Sequence, residues 1–299
     1  MNITKTALIT ISGRPNVGKS TLANAIAGEK IAIVSNKPQT TRNRIYAIRN
    51  MDDTQLIFMD TPGFHRPKSR LDEYMADVVK DSFSGTDGVL LVVEPIAGAG
   101  PQEEQLIEYI KGSKAPSVLV INKIDSVKKE TLLAVIAAYA EKYEFTHIMP
   151  ISAKTGEGVD ELMELLRGFA VPGPALFPED MVTDQPDSQI CAEIVREKLL
   201  YCLDHEVPHG TAVEVTRFSE RIDTEIIDLD VMIYCEKASH KSIIIGRGGA
   251  MIKKIGELAR RDIERYMGTR VFLQTWVKVK ENWRDSDAMV RNFGYRKER

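Results

Sequence analysis

Over residues 1–171 the chain alternates between two rhythms of apolar and polar positions. Short apolar runs at 7–11, 44–48, 55–59, 88–94, 117–121 and 147–150 have the length and β-branched character of strands. Between them, residues 22–27, 71–82, 102–111, 130–142 and 158–169 repeat apolar positions at helical spacing. Strand and helix in alternation predict an α/β domain, a mostly parallel sheet with helices on both faces. The unbroken run Val89-Leu90-Leu91-Val92-Val93 predicts a central strand, since a strand covered on both sides has no polar face to alternate.

The rhythm changes at Pro172-Gly173-Pro174, which Pro178 and Pro186 follow with acidic residues between. That density of breakers predicts a linker over 172–186 and domains at 1–171 and 187–299. Past it come a helical pattern at 189–203, alternating runs at 212–218 and 225–235, and a short helix at 240–244. Gly246-Arg247-Gly248-Gly249, an amphipathic helix reaching Tyr266, and a strand at 271–279 complete it. The order α-β-β-α-α-β predicts a smaller α+β domain. No internal repeat or low-complexity tract interrupts it.

Composition narrows the class. At 299 residues, with 43% hydrophobic and 28% charged, the chain has core material for two ordinary globular domains. No apolar run approaches the ~20 residues of a membrane-spanning helix. No basic-flanked apolar leader is seen, so a cytoplasmic protein is expected. Cys191, Cys202 and Cys235 lack metal-ligand spacing and are odd in number, which predicts reduced thiols. The net charge of −3 names no partner, but its distribution does. Residues 187–236 carry 4 Lys/Arg against 12 Asp/Glu, whereas 237–299 carry 16 against 7. A basic half beside an acidic half predicts a face for a polyanion.

The chemistry begins at Gly13-Arg14-Pro15-Asn16-Val17-Gly18-Lys19-Ser20, with Thr21 opening the helix that follows. This is GxxxxGKS between a strand and a helix. Its glycines let successive N–H groups turn inward around phosphate oxygens, and the helix N-terminus adds positive potential. Lys19 would reach the β- and γ-phosphates and the Ser20 hydroxyl a magnesium ion. Asp60-Thr61-Pro62-Gly63 follows a strand, placing a carboxylate beside the metal and a backbone N–H near the γ-phosphate. Alone, DxxG is weak. Gln39-Thr40-Thr41-Arg42 lies in a polar loop where a threonine could close over the magnesium. Asn122-Lys123-Ile124-Asp125 follows another strand, and a carboxylate there accepts the two N–H donors that guanine has and adenine lacks. Ser152-Ala153-Lys154 follows the last strand, its backbone suited to the guanine O6. Each motif sits at the carboxyl end of a strand, the edge where open α/β sheets bind ligands.

Together these segments resemble the P-loop GTPases. GRPNVGKSTL, QTTR, DTPG and NKID, followed by a linker and second domain, resemble the Era family of bacterial GTPases over essentially the whole chain. The resemblance implies GTP, GDP and magnesium as ligands, with Lys19 on the phosphates. Ser20, Thr41 and Asp60 are then the metal set and Asn122 and Asp125 the guanine readers. Phe64 stands where Ras-like enzymes carry a water-orienting glutamine, so turnover should be slow and no general base is named. Asn16 has two readings: it shapes the loop, or, as in related GTPases, it binds a potassium ion that stimulates hydrolysis.

The second domain's order and its GxxG turn resemble the type II KH fold. Ile245, Gly246, Arg247, Gly248 and Gly249, with Lys253 and Lys254 beyond, are the expected RNA contacts, where glycines admit a nucleic-acid backbone. The resemblance implies the 3′ end of small-subunit (16S) ribosomal RNA as partner and a role in 30S subunit maturation; a monomer is expected because the sequence shows no large unpaired apolar surface. Two rivals stay open. One is an RNA-binding scaffold whose nucleotide is mainly structural. The other is a GTPase regulator of the cell cycle, held peripherally on the membrane by its basic half.

Overall fold

The computed structural model describes residues 2–296. They form two compact units. Among the described residues the first comprises 2–32, Thr41–Pro67 and Asp72–Asp184; the second comprises Ile33–Thr40, Lys68–Leu71 and 185–296. Lys297, Glu298 and Arg299, counted in the basic half above, lie outside the described residues.

The first unit is a seven-stranded sheet. Its strands are β1 (Lys5–Ser12), β2 (Ile45–Met51), β3 (Thr54–Asp60), β4 (Gly88–Val93), β5 (Ser117–Ile121), β6 (His147–Pro150) and the short β7 (Val171–Pro172). They run in the order β2-β3-β1-β4-β5-β6, with β7 pairing to β1. The core ladder is parallel, while the β2–β3 hairpin and β7 are antiparallel additions. β4 is buried at every position, as its lack of polar alternation requires. One apolar cluster, around Leu22, Phe58, Leu90 and Leu162, and a second, around Leu91, Ile107, Leu119 and Val135, together draw on alternate residues of β4. Two clusters fed by alternate residues of one strand mean that both faces are covered by helices. Register then decides where the loops begin. Ile11 lies beside Asp60, Val93 beside Ile121, and Ile121 beside Pro150. The chain therefore leaves β1, β3, β5 and β6 at one edge.

The proline-rich segment read as a linker is laid along this unit up to Asp184. The buried Gln55 side chain accepts from the Leu176 and Phe177 N–H groups, at 2.8 and 3.0 Å, and donates to the Phe177 carbonyl at 2.9 Å. Ile48 N–H then donates to Val182 O at 2.9 Å. Prolines mark a break in sequence, but their fixed φ also suits an extended strap.

The second unit carries α6 (Asp187–Cys202), β8 (Ala212–Glu220), β9 (Ile226–Cys235), α7 (Ala238–Ile245), α8 (Ala250–Met267) and β10 (Arg270–Val279). β9 is central, antiparallel to β8 and parallel to β10. Ile194, Val195 and Leu199 of α6 meet Leu229, Val231 and Ile233 of β9 and Ile255, Ala259 and Ile263 of α8 in one cluster. A further short helix at Asp287–Asn292, absent from the sequence reading, follows the buried Trp283, whose indole N–H donates to Gly210 O at 2.9 Å.

Candidate functional site

The loop after β1 enters α1 (Lys19–Ala27) at Gly18. Gly18 has φ +100, and a Cβ there would fall 2.2 Å from Asn122 Nδ2. Only glycine fits that approach. The Asn122 amide in turn donates to Val17 O at 2.8 Å and accepts from Ala153 N–H at 2.9 Å. One buried side chain thus ties together the loops after β1, β5 and β6. Because both ends of the amide are engaged by protein, Asn122 is built as a strut.

Lys19 is 6% exposed, its ammonium donating to Gly13 O at 3.1 Å and Arg14 O at 2.9 Å. Burial lowers its pKa to about 8, against the opposing pull of Asp60. Burial also pushes Asp60 up to about 6, although Lys19, the Ser20 hydroxyl and the Thr61 backbone all favour its ionised form. Ser20 Oγ donates to Asp60 Oδ2 at 2.7 Å and lies 2.7 Å from Thr41 Oγ1. The other Asp60 oxygen is buried and has no hydrogen-bond partner. A carboxylate left half-satisfied among two hydroxyls is a set of hard oxygen donors, the kind that suits magnesium. Thr61 and Pro62 are buried, and Thr61 Oγ1 donates to Ile11 O at 2.8 Å. Gly63 sits so close to the loop after β1 that a Cβ would meet Pro15 Cα at 2.7 Å. The next N–H, of Phe64, donates to Gly13 O at 3.2 Å. The Phe64 ring packs edge-on against Tyr109, 5.8 Å between centroids, so it makes an apolar contact where a glutamine would offer hydrogen bonds.

At the rim, Asp125 is exposed, and Oδ1 receives the Ser152 hydroxyl at 2.7 Å. That bond fixes the carboxylate plane. Lys123 donates to Asn16 O at 2.6 Å and pairs with Glu94 at 2.6 Å. Asn16 is exposed with φ 66. Arg14 pairs with the buried Glu103 and more distantly with Glu94, at 3.9 Å. The sequence reading passed over both glutamates. Glu94 ends the β4 run at the site's own edge, a usable signal. Glu103 stands in the first turn of α3 (Pro101–Ser113), where it also accepts from the Gly100 N–H, so it reads as a helix cap. His65, also passed over, lies 2.9 Å from Gly63 O and 3.2 Å from Asp72 Oδ1.

The second candidate site is open. Ile245 and Gly246 end α7, and Arg247, Gly248 and Gly249 form a single 3-10 turn before α8. Gly248 and Gly249 have φ +59 and +82, and nothing lies within 4 Å of where a side chain would start. Arg247, Lys253 and Lys254 are exposed. Of the neighbouring isoleucines, Ile244 is fully buried, while Ile245 and Ile252 are half-buried. Among the described residues no helix is long and apolar enough to cross a membrane.

The comparisons with known proteins agree on both halves. A family model described as a 50S ribosome-binding GTPase matches residues 8–123, and a KH-domain model matches 206–284. The chain is 48% identical to the GTPase Era of Alkaliphilus metalliredigens over 97% of this chain and 99% of that one. It is 49% identical to the GTPase Era of Ruminiclostridium cellulolyticum over 98% of each. The crystal structure of Era in complex with MgGDPNP and nucleotides 1506–1542 of 16S ribosomal RNA superposes with a TM-score of 0.93. Identity is 37%, over 98% of this chain and 99% of that one. With relatives this similar over nearly their whole length, and a phosphate loop and GxxG turn where the motifs require them, the chain belongs to the Era family of GTPases.

Proposed function

We propose that this chain is a GTP-hydrolysing switch that binds the 3′ region of 16S ribosomal RNA and assists maturation of the 30S subunit. The observation that carries the reading is the pairing, in one chain, of the Lys19–Ser20–Thr41–Asp60 cluster with the open turn 246–249. The domain division goes with it: nucleotide chemistry in 1–171, RNA binding in 187–299, and 172–186 between them.

Backbone N–H groups of the loop 13–18, which Pro15 lacks, and the start of α1 cradle the phosphates. The Lys19 ammonium turns from its loop carbonyls to the β- and γ-oxygens, where charge accumulates as the bond to the leaving oxygen breaks. Ser20, Thr41 and Asp60 hold magnesium, which neutralises phosphate charge when bound. Asp125, oriented by Ser152, reads guanine, while Asn122 keeps the three loops in register. Phe64 supplies no proton acceptor, so acceleration rests on positioning and charge, and turnover is slow. Asn16 at the rim is the place for the potassium contact. The chain works in the cytoplasm as a monomer.

The test is binding of a single-stranded RNA copying the 16S 3′ end, against a scrambled control at fixed salt, with a non-hydrolysable GTP analogue and with GDP. Selective binding that differs between nucleotides, with multiple-turnover phosphate release lost in Lys19→Ala, is expected. Equal affinity for both RNAs would refute the ribosomal assignment. Equal affinity in both nucleotide states would refute the switch.

A further inference from the structure

His65, the residue after Phe64, is half-buried beside the nucleotide site and has no part in the mechanism above. Its Nδ1 lies 2.9 Å from Gly63 O and its Nε2 lies 3.2 Å from Oδ1 of the buried Asp72. Both residues belong to the first unit, as do Ile11, Gly13 and Thr61. A carbonyl and a carboxylate only accept hydrogen bonds, so these two partners assign a hydrogen to each ring nitrogen. The Asp72 carboxylate meets the charge of that doubly protonated ring. A charge-assisted bond at Nε2 then fixes the direction in which Nδ1–H points.

Nδ1–H points at the peptide that joins Gly63 to Phe64. The oxygen of this peptide accepts from His65, and its N–H donates to Gly13 O at 3.2 Å, so one rigid plane is held at both ends. On the other side of Gly63, Thr61 Oγ1 donates to Ile11 O at 2.8 Å, and Pro62 locks its own φ. The Gly63 N–H lies between these two anchors. Glycine rotates more freely than any other residue, so the partner of its oxygen matters most here.

We infer that His65 is a positioning residue for hydrolysis: by holding the Gly63 carbonyl it presets the Gly63 N–H for the γ-phosphate. The inference rests on the reading of that N–H as a γ-phosphate contact. A donor aimed in advance at a phosphate oxygen needs no reorganisation during the reaction. GDP has no third phosphate, so His65 favours the triphosphate without touching either nucleotide. Asp72 acts one step further back, through the ring.

The experiment compares the full chain as wild type, His65→Asn and His65→Gln. An Asn amide nitrogen sits two bonds from Cβ, as Nδ1 does, whereas a Gln amide nitrogen sits three bonds away, as Nε2 does. His65→Asn therefore keeps the donor to Gly63 O, and His65→Gln loses it. In His65→Gln, kcat/KM for GTP and affinity for a non-hydrolysable GTP analogue should each fall by roughly 10-fold, with GDP affinity unchanged. His65→Asn should stay within about 3-fold of the wild type. Equal behaviour of the two variants, or a matching loss of GDP affinity, overturns the inference. Amide hydrogen exchange at Gly63 tests the reading beneath it: the analogue should protect this amide in the wild type, and GDP should not. Equal exchange with both nucleotides overturns the γ-phosphate contact and the inference with it. Protection by the analogue that persists in full in His65→Gln overturns the inference alone. Should the variants not fold, the ¹⁵N imidazole spectrum of the wild type decides, since hydrogen on Nδ1 is required and a bare Nδ1 refutes the clamp.

Discussion

The two candidate sites are built on opposite plans. The nucleotide site is buried and already hydrogen-bonded. Lys19, Asp60, Asn122 and Ser152 are each nearly or fully shielded from solvent, and neighbouring loops engage their donors and acceptors except for one Asp60 oxygen. In the turn 246–249, Arg247 and Gly248 are exposed, and nothing lies within 4 Å of where a side chain would start at Gly248 and Gly249. A small ligand with concentrated charge rewards a rigid cradle, because preorganised dipoles need not reorient when it arrives. A long polyanion rewards spread-out charge, since each phosphate neutralised releases counterions. Changes in the first site should therefore be steep and specific, and changes in the second shallow and salt-dependent.

The steepest effect expected in the nucleotide site concerns base choice, at its exposed rim. Asp125→Asn replaces an acceptor with a group that cannot take both guanine N–H donors. Affinity for GTP should fall by roughly 10²-fold or more, with xanthosine triphosphate gaining, because a site built around particular hydrogen bonds strongly penalises the mismatch. Competition binding reads this directly, and unchanged GTP affinity would break the assignment. Asn122 offers the contrast. Since its amide is spent on Val17 and Ala153, Asn122→Ala should weaken GTP and xanthosine triphosphate alike.

Burial also has a cost that the open site does not carry. Asp60, pushed up from 3.8 to about 6 mainly by desolvation, binds its proton more tightly in the folded protein than in the unfolded chain. Between those values the native state holds more protons, so stability falls as pH rises through the window and levels off above it. Asp60→Asn does not titrate. It should match the wild type near pH 4 and exceed it by about 3 kcal/mol at pH 7. Hydrogen-exchange free energies of β1 and β3 amides, measured without nucleotide, provide the test. Parallel profiles for the two proteins would show that Asp60 is not the strained group.

The same contrast governs what the sequence could reveal. The phosphate loop, DTPG, NKID and SAK are legible because each works through contiguous residues at a strand end. Local spacing encodes them. Glu103 works across the fold by pairing with Arg14, and nothing in its own neighbourhood separates it from an ordinary charged helix position. β7 is two residues long, and Asp287–Asn292 is a short helix with no full amphipathic period, so neither offers enough pattern to read. The strap along the first unit depends on Gln55, which reads as a lone polar residue in an apolar strand. The α-β-β-α-α-β order was legible because every element in it is either long or bounded by glycine. RNA contacts were legible only as composition.

The smallest expected effect is therefore the sharpest probe of the second plan. Arg247 is exposed on the 3-10 turn, so Arg247→Ala should leave the fold and nucleotide binding as they are. If its guanidinium meets a phosphate, RNA affinity falls at every sequence in similar proportion, and the slope of log affinity against log salt shrinks by about 1. A base-reading contact behaves differently: it would cost affinity for the 16S 3′ sequence but not for a scrambled strand, at nearly constant salt slope. The open geometry around Gly248 and Gly249, where a ligand backbone can approach the protein backbone, favours the phosphate outcome. Titrations at several salt concentrations with both RNAs separate the two. A loss confined to the 16S sequence would mean that the turn reads bases, and that the exposed site is as specific in its own way as the buried one.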